Sequence, residues 1–155
     1  LKQESKLRLY IVGNGFYDQW LPKTWTMNSK ISFTGYLPRK ELFKLFTVAD
    51  IGIIPSLHEE FGLVAIEMMM HKLPIIVNNT TGLSEIVRNR KNGLIARKNS
   101  SYDLAMKILE LAGNKSLRIS IGNEARKTYL SKYNSPLYTE KMFQVYESLI
   151  PHSLS

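Results

Sequence analysis

Two carboxylates with seven residues between them, Glu59 and Glu67, carry the clearest chemistry in this sequence. The stretch from Pro55 to Glu67 reads Pro-Ser-Leu-His-Glu-Glu-Phe-Gly-Leu-Val-Ala-Ile-Glu. Glu67 stands inside an otherwise apolar helical run, on the face shared with Leu63, Val64 and Met70. An ionised carboxylate on such a face is costly unless it is paired or hydrogen-bonded. Position alone serves two readings equally. Glu67 is a ligand-binding carboxylate, or it bonds a neighbouring backbone or basic side chain. Glu59 and Glu60 precede the run, where acids complement the positive end of a helix, and capping accounts for one of them. Gly62 removes a side chain at the helix start, so N–H groups there could face a phosphate. Close packing explains the same glycine.

Other candidates are weaker. Gly13-Asn14-Gly15 follows a run of strand formers and could border a phosphate or a base, but it lacks the rest of a dinucleotide fingerprint. A plain turn serves as well. Thr80-Thr81-Gly82 reads as a second strand-to-helix turn with exposed amides, or as a turn only. His58, His71 and His152 show no metal-ligand spacing. His71 sits near a helix end and suits the dipole there, while His58 lies beside the carboxylates. Met68-Met69-Met70 reads as core packing. No Ser/His/Asp arrangement is evident.

The elements that must position these residues alternate. Strand-like runs are Leu9–Val12, Ile31–Thr34 closed by Gly35, Ile51–Ile54 stopped by Pro55, Leu73–Val77, and Leu94-Ile95. Several are apolar at consecutive positions, as parallel strands buried on both faces are. Helical patterns fall between and after them: Arg39–Ala49, Phe61–His71, one beginning at Leu83–Val87, and Tyr102–Ala112. Ser101 and Gly113 would cap the last of these. A further helix is marked by Leu117, Ile121 and Ala125. Ser135-Pro136 opens a final one with Tyr138, Met142, Val145 and Leu149 on its face. Phe61–His71 is apolar almost all round and is expected to be deeply buried. Phe16–Ser29 has no clear period and reads as loop or poor helix. The alternation predicts an α/β fold: a Rossmann-like parallel sheet with helices on both faces and C-terminal helices following the sheet. Ligands of such sheets bind beyond the carboxyl ends of the strands. Here those ends are Gly13–Gly15, Gly35–Leu37, Ser56–Gly62 and Asn78–Gly82.

The chain has 155 residues, fitting one domain, 1–155. With 44% hydrophobic and 22% charged residues it reads as globular rather than disordered. It opens on Leu1 and the polar stretch LKQESKLR, which is no signal peptide and reads as the start of a fragment. No apolar run is long enough to span a bilayer. With no cysteine, disulfides, thiolate zinc sites and cysteine nucleophiles are excluded, and a reducing, cytoplasmic setting fits. The net charge of +8 comes from 21 basic and 13 acidic residues. Such a balance suits nucleic acid, acidic lipid headgroups or phosphorylated ligands. The basic residues are scattered, aromatics are not interleaved with them, and no recognition helix or RNP strand is present, so nucleic acid is not an expected partner.

Taken together, these residues resemble the retaining glycosyltransferases of the GT-B fold, in particular the large family 4, or group 1. Glu59 and Glu67 resemble that family's E-x7-E motif. Ala49–Ser56 resembles the strand before it, and Leu73–Ile76 the strand after it. Gly82–Val87 with Asn92–Ile95 resembles a later stretch, and Val12–Gly15 and Phe33–Leu37 resemble earlier ones. The resemblance runs from about Leu9 to Ile150. It implies one half of a GT-B fold, the C-terminal domain that binds a nucleotide-sugar donor. Glu67 would hold the ribose hydroxyls, and Glu59, in the catalytic position, the hydroxyls of the donor sugar. Amides near Phe61, Gly62, Leu63 and Val64 would meet the sugar and diphosphate. Tyr36 and Leu37 would meet the base, with Gly13 and Gly15 bordering its pocket. The family reacts on one face of the sugar, the leaving diphosphate aiding proton removal, and needs no metal because basic groups and helix amides carry the phosphate charge. UDP-sugars are the favoured donors and GDP-sugars the next. The partner would be a glycan or lipid-linked acceptor, reached through an N-terminal domain.

The sequence departs from that pattern. The first strand and helix, which supply an Arg and a Lys to the diphosphate, are missing, and Lys2, Lys6 and Arg8 are no substitute by position. The acceptor-binding N-terminal domain is missing as well. Thr81 stands where glycine is common. The isolated chain is therefore expected to bind donor weakly and to be inactive alone. Many relatives work at the inner face of a membrane, and Arg126, Lys127 and Lys132 could favour an anionic surface or form a solvated helix face. Two other readings compete: a non-catalytic binding module on the same fold, and another GT-B-type enzyme such as a sugar-nucleotide epimerase or phosphorylase.

Overall fold

The computed structural model describes residues 7–15, 23 and 28–149. The chain, read above as one domain, divides by its internal contacts into two compact units, Leu1–Val48 and Ala49–Ser155. Most of the Phe16–Ser29 segment lies outside the described residues.

In the first unit, β1 (Leu9–Val12) and β2 (Ile31–Gly35) pair in parallel, Leu9 opposite Ile31 and Ile11 opposite Phe33. The register slips at the end, where Val12 meets Gly35. Thr34 bridges the slip by donating its hydroxyl to the Ile11 carbonyl at 3.3 Å. Gly13 and Gly35 adopt positive φ, 116° and 65°, a conformation that a Cβ disfavours. Pro38 then opens α1 (Arg39–Val48), its carbonyl accepting from Glu41 and Leu42. Phe46 is the buried residue of that helix.

In the second unit, β3 (Gly52–Ile54), β4 (Ile75–Asn78) and β5 (Leu94–Ala96) form a parallel sheet in that order. β4 is buried at every position, the reason it reads as an unbroken apolar run. Hydrophobicity placed two strands slightly early. The ladder begins where Gly52 donates to the Pro74 carbonyl at 2.9 Å, so Ile51 and Leu73 fall outside the pairing.

Helices cover both faces of this sheet. α2 (Leu63–Met70) lies on the Gly52 face, where an added Cβ would stand 2.5 Å from Met68 Sδ. Successive strand residues alternate faces, so Ile76 points the other way. It clusters there with Leu94, Ala96, Leu111 of α4 (Ser101–Gly113) and Ile121 of α5 (Lys115–Lys132). α5 also runs past the turn that enters β4, with Gly122 pressed against the Lys72 carbonyl. Arg126 on α5 donates to the Met70 carbonyl and so occupies one of the last open acceptors of α2. α3 (Thr81–Ile86) lies between β4 and β5, and α6 (Ser135–Leu149) ends the described chain.

Several expectations change. α2 is not buried all round: Ala65, Ile66, Met68 and Met69 are buried, but Leu63 and Val64 are 65% and 44% exposed. Its inner face meets the sheet, and no described residue covers the opposite one. α3 starts two residues before Leu83, taking in Thr81 and Gly82. Ser100, not Ser101, caps α4, accepting from Asp103 N at 3.1 Å. Asn114, not Gly113, closes α4, and its side chain caps α5 through Leu117 N at 2.9 Å. The helical face read on α6 is uncovered: Tyr138, Val145 and Leu149 are exposed and no residue of that helix is buried.

Candidate functional site

The loop from Pro55 to Gly62 leaves the carboxyl end of β3 and turns into α2. Gly62 makes the turn in the left-handed region, at φ 83° and ψ 44°. It is also walled in, since a Cβ there would stand 2.8 Å from Leu83 Cδ2. Both facts favour glycine. The Glu59 carboxylate folds back and accepts from Gly62 N–H through Oε1 at 3.0 Å. That bond is charge-assisted and fixes the carboxylate at the positive end of α2. The next two amides, of Leu63 and Val64, make no hydrogen bond among the described residues, whereas Ala65 and Ile66 donate to the Gly62 carbonyl. So Gly62 gives its own N–H to Glu59, and the amides of Leu63 and Val64 stay open.

Glu67 lies five residues past Gly62, or about 7.5 Å along the helix at 1.5 Å per residue. It is half-buried, on the same open side as Leu63 and Val64. Its carboxylate is therefore not sunk in the core, which removes most of the desolvation cost the sequence suggested. His71 closes α2 and holds its ring Nδ1 2.8 Å from the Glu67 carbonyl oxygen. A carbonyl only accepts, so this contact needs the proton on Nδ1. Phe61 is exposed.

The loop after β4 braces the Glu59 loop. Gly82 donates its N–H to the Glu59 carbonyl at 3.1 Å. A Cβ on Gly82 would overlap the Glu60 carbonyl and stand 2.6 Å from the Glu59 oxygen. Two amides of the Thr80-Thr81-Gly82 turn are thus engaged inside the protein rather than exposed, since Thr80 N also donates to the Asn78 carbonyl at 2.9 Å. Asn78 ties β4 to the β3 loop by donating to the Pro55 carbonyl at 2.8 Å. Thr80 Oγ1 is buried and makes no hydrogen bond among the described residues. The loops after β3, β4 and β5 together enclose an open cavity of about 440 Å³ lined by His58, Glu59, Glu60, Asn79, Thr80 and Lys98 among others.

In the first unit, Asn14 does work that the glycine pattern hid. Its Oδ1 accepts from Tyr36 N at 2.9 Å, and Gly13 N donates to the Gly35 carbonyl at 2.8 Å. These bonds join the ends of β1 and β2. Tyr36 is 71% exposed and Leu37 half-buried; an exposed ring is a surface on which a flat ligand can stack. Gly15 is exposed.

The basic residues named for a membrane surface are largely engaged. Arg126 caps α2 and lies 5.2 Å over the Tyr129 ring, and Lys127 pairs with Glu124 at 2.5 Å. Sequence reasoning marked Asn14, Thr80 and Gly82 only as members of weak turn signals and passed over Lys98. Their contacts join loops far apart in the chain, which no local pattern marks.

With this geometry in hand, likeness to known proteins is decisive. The family model described as "Glycosyl transferases group 1" matches residues 1–128. The chain belongs to this family. An uncharacterised glycosyltransferase of Methanocaldococcus jannaschii is 41% identical over 121 residues, 78% of this chain and 34% of its own length. The capsular polysaccharide biosynthesis glycosyltransferase CapM of Staphylococcus aureus is 32% identical over 104 residues, 67% of this chain and 27% of its own length. The chain therefore spans about a third of the length of these curated relatives. The Anabaena protein HepE, solved in complex with UDP-glucose, superposes with a TM-score of 0.82 over 96% of this chain and 44% of its own, at 19% identity. At that identity the likeness shows the fold, a GT-B-type α/β architecture. The matched stretch runs from β1 into α5 and includes both Glu59 and Glu67.

Proposed function

We propose that this chain is the donor-binding part of a retaining glycosyltransferase that moves a sugar from a nucleoside diphosphate to a glycan or lipid-linked acceptor. One observation carries the reading. Glu59 is fixed at the start of α2 beside the unengaged N–H groups of Leu63 and Val64, and Glu67 follows on the same open side. A diphosphate suits two free amides at a helix N-terminus. A ribose suits a carboxylate about 7.5 Å further along, and donor-sugar hydroxyls suit Glu59. UDP is the favoured nucleotide, supported by the UDP-glucose complex of HepE, and GDP the next. The name of the Staphylococcus relative supports a polysaccharide product.

In this reading the bond from the sugar's anomeric carbon to the diphosphate oxygen breaks as the acceptor oxygen bonds that carbon on the same face. The acceptor's proton passes to the departing diphosphate. The phosphate charge is met by amides and basic side chains, without a metal. The reading places the reaction in the cytoplasm, at or near the inner membrane face.

The test is transfer by the full-length protein from a UDP-sugar to a glycan acceptor, with the product's anomeric configuration read by NMR. Retention supports the proposal, and inversion overturns the retaining mechanism. Turnover of a nucleotide sugar without any glycoside formed would favour an epimerase instead.

A further inference from the structure

The cavity beside Glu59 contains more chemistry than sugar hydroxyls require. Its lining divides by origin. The loop after β3 brings acceptors, Glu59 and Glu60. The loops after β4 and β5 bring donors, Asn79, Thr80 and Lys98. β4 lies between β3 and β5, and neighbouring strands stand about 4.8 Å apart. The acceptor-bearing and cation-bearing loops are thus rooted roughly 10 Å apart, about the span of one pyranose ring with its exocyclic substituents.

The donor side has bonding capacity left over. Lys98 forms no ion pair among the described residues. Thr80, only 6% exposed, has a hydroxyl with no hydrogen bond among the described residues, and such a group calls for an explanation. Lys98 also sits on a built turn rather than a loose one. Arg97 N donates to Asp103 Oδ2 at 2.7 Å, Ser100 N donates to the Arg97 carbonyl at 3.2 Å, and Asn99 adopts φ 61°. That conformation is uncommon for a side-chain-bearing residue.

We propose that this cavity binds an acidic pyranose, its hydroxyls on Glu59 and its anionic exocyclic group on Lys98. The proposal rests on the donor-site reading above and makes Lys98 the residue that selects the sugar. A cation facing a carboxylate gives a charge-assisted bond. A neutral hydroxymethyl group in the same place gives a bond in which only the donor is charged. The acidic ring can come from the donor or from the end of the acceptor.

The test uses calorimetric titration of the full-length protein with UDP, UDP-glucose, UDP-glucuronate and methyl glucuronide, the last with and without UDP. Wild type should bind UDP-glucuronate about tenfold more tightly than UDP-glucose, the size of one charge-assisted bond partly screened by solvent. Lys98→Met should erase that preference and leave UDP affinity unchanged, and Lys98→Arg should keep it. Binding of methyl glucuronide that depends on Lys98 assigns the acidic ring to the acceptor. The proposal is overturned if UDP-glucose and UDP-glucuronate bind alike and methyl glucuronide does not bind, or if Lys98→Met weakens both donors equally. Failure of every nucleotide to bind would instead sink the donor-site reading, and methyl glucuronide alone would still test the cavity.

Discussion

Gly82 donates its N–H to the carbonyl oxygen of Glu59 at 3.1 Å, at a place where any Cβ would overlap the backbone of Glu60. The second strand-end loop therefore sets the height of the first. This contact links a residue with no chemistry of its own to the carboxylate proposed to hold the sugar.

Gly82→Ala should displace the Glu59 loop. The overlap is with backbone, which cannot swing aside, so a stability loss of about 1–3 kcal/mol is expected. A purely structural role would weaken all ligands alike. The account expects affinity for a nucleotide sugar to fall more than affinity for the nucleotide alone, because the helix bearing Glu67 stays put. Equal losses in paired titrations would contradict it.

Gly122→Ala tests the seating of α2. In an exposed helix interior this change usually adds about 0.5–1 kcal/mol of stability. Here the new methyl would meet the Lys72 carbonyl, so the sign should reverse. Urea denaturation should show a lower midpoint, and a higher one would mean that α5 does not press on the turn entering β4.

Asn92 is 1% exposed. It accepts from Arg88 N at 2.6 Å and donates to the Ile86 carbonyl and to Thr128 Oγ1, both at 3.1 Å. Asn92→Leu removes these bonds from the Arg88 amide and the Ile86 carbonyl, while Thr128 keeps its bond to the Glu124 carbonyl, and should cost about 2–4 kcal/mol. Thr128→Val removes one of the Asn92 bonds together with the hydroxyl's own bond to the Glu124 carbonyl, and should cost less. A melt in which both variants lose the same amount would show that the Asn92 network is not the main term.

Glu124 has its carboxyl held below the ordinary value of 4.5 by the hydrogen bond from Lys127, with the Lys127 and Lys91 charges helping. A lowered folded pKa contributes stability that is present above 4.5 and lost as pH falls through the folded value. The pair is exposed and screened. Glu124→Gln should leave the urea midpoint at neutral pH nearly unchanged and slightly flatten its fall below pH 4.5. A large loss at neutral pH would contradict this.

Much of this was legible in the sequence because buried parallel strands and amphipathic helices leave periodic marks. β4 shows as an apolar run, and α4 as a face of Leu104, Ile108 and Leu111. Glu59 was legible as an acid before a helix start, and Glu67 as an acid inside an apolar helix. Three features were not. The exposure of Leu63 and Val64 depends on what lies opposite α2, which local pattern does not record. The caps at Ser100 and Asn114 differ from their neighbours only in which side chain reaches an amide. The bracing by Gly82 and the shared cavity with Lys98 join loops more than twenty residues apart, and sequence spacing is silent on such contacts.

The most direct test of the central claim is calorimetric titration of the full-length protein with UDP, GDP and ADP, on wild type and on Glu67→Ala. The account predicts that one nucleotide, UDP, binds and stabilises the protein by an amount that grows with the logarithm of its ratio to the dissociation constant, and that Glu67→Ala loses about tenfold or more of that affinity. Undiminished nucleotide binding by Glu67→Ala, or no binding of any nucleotide by the full-length protein, would contradict it.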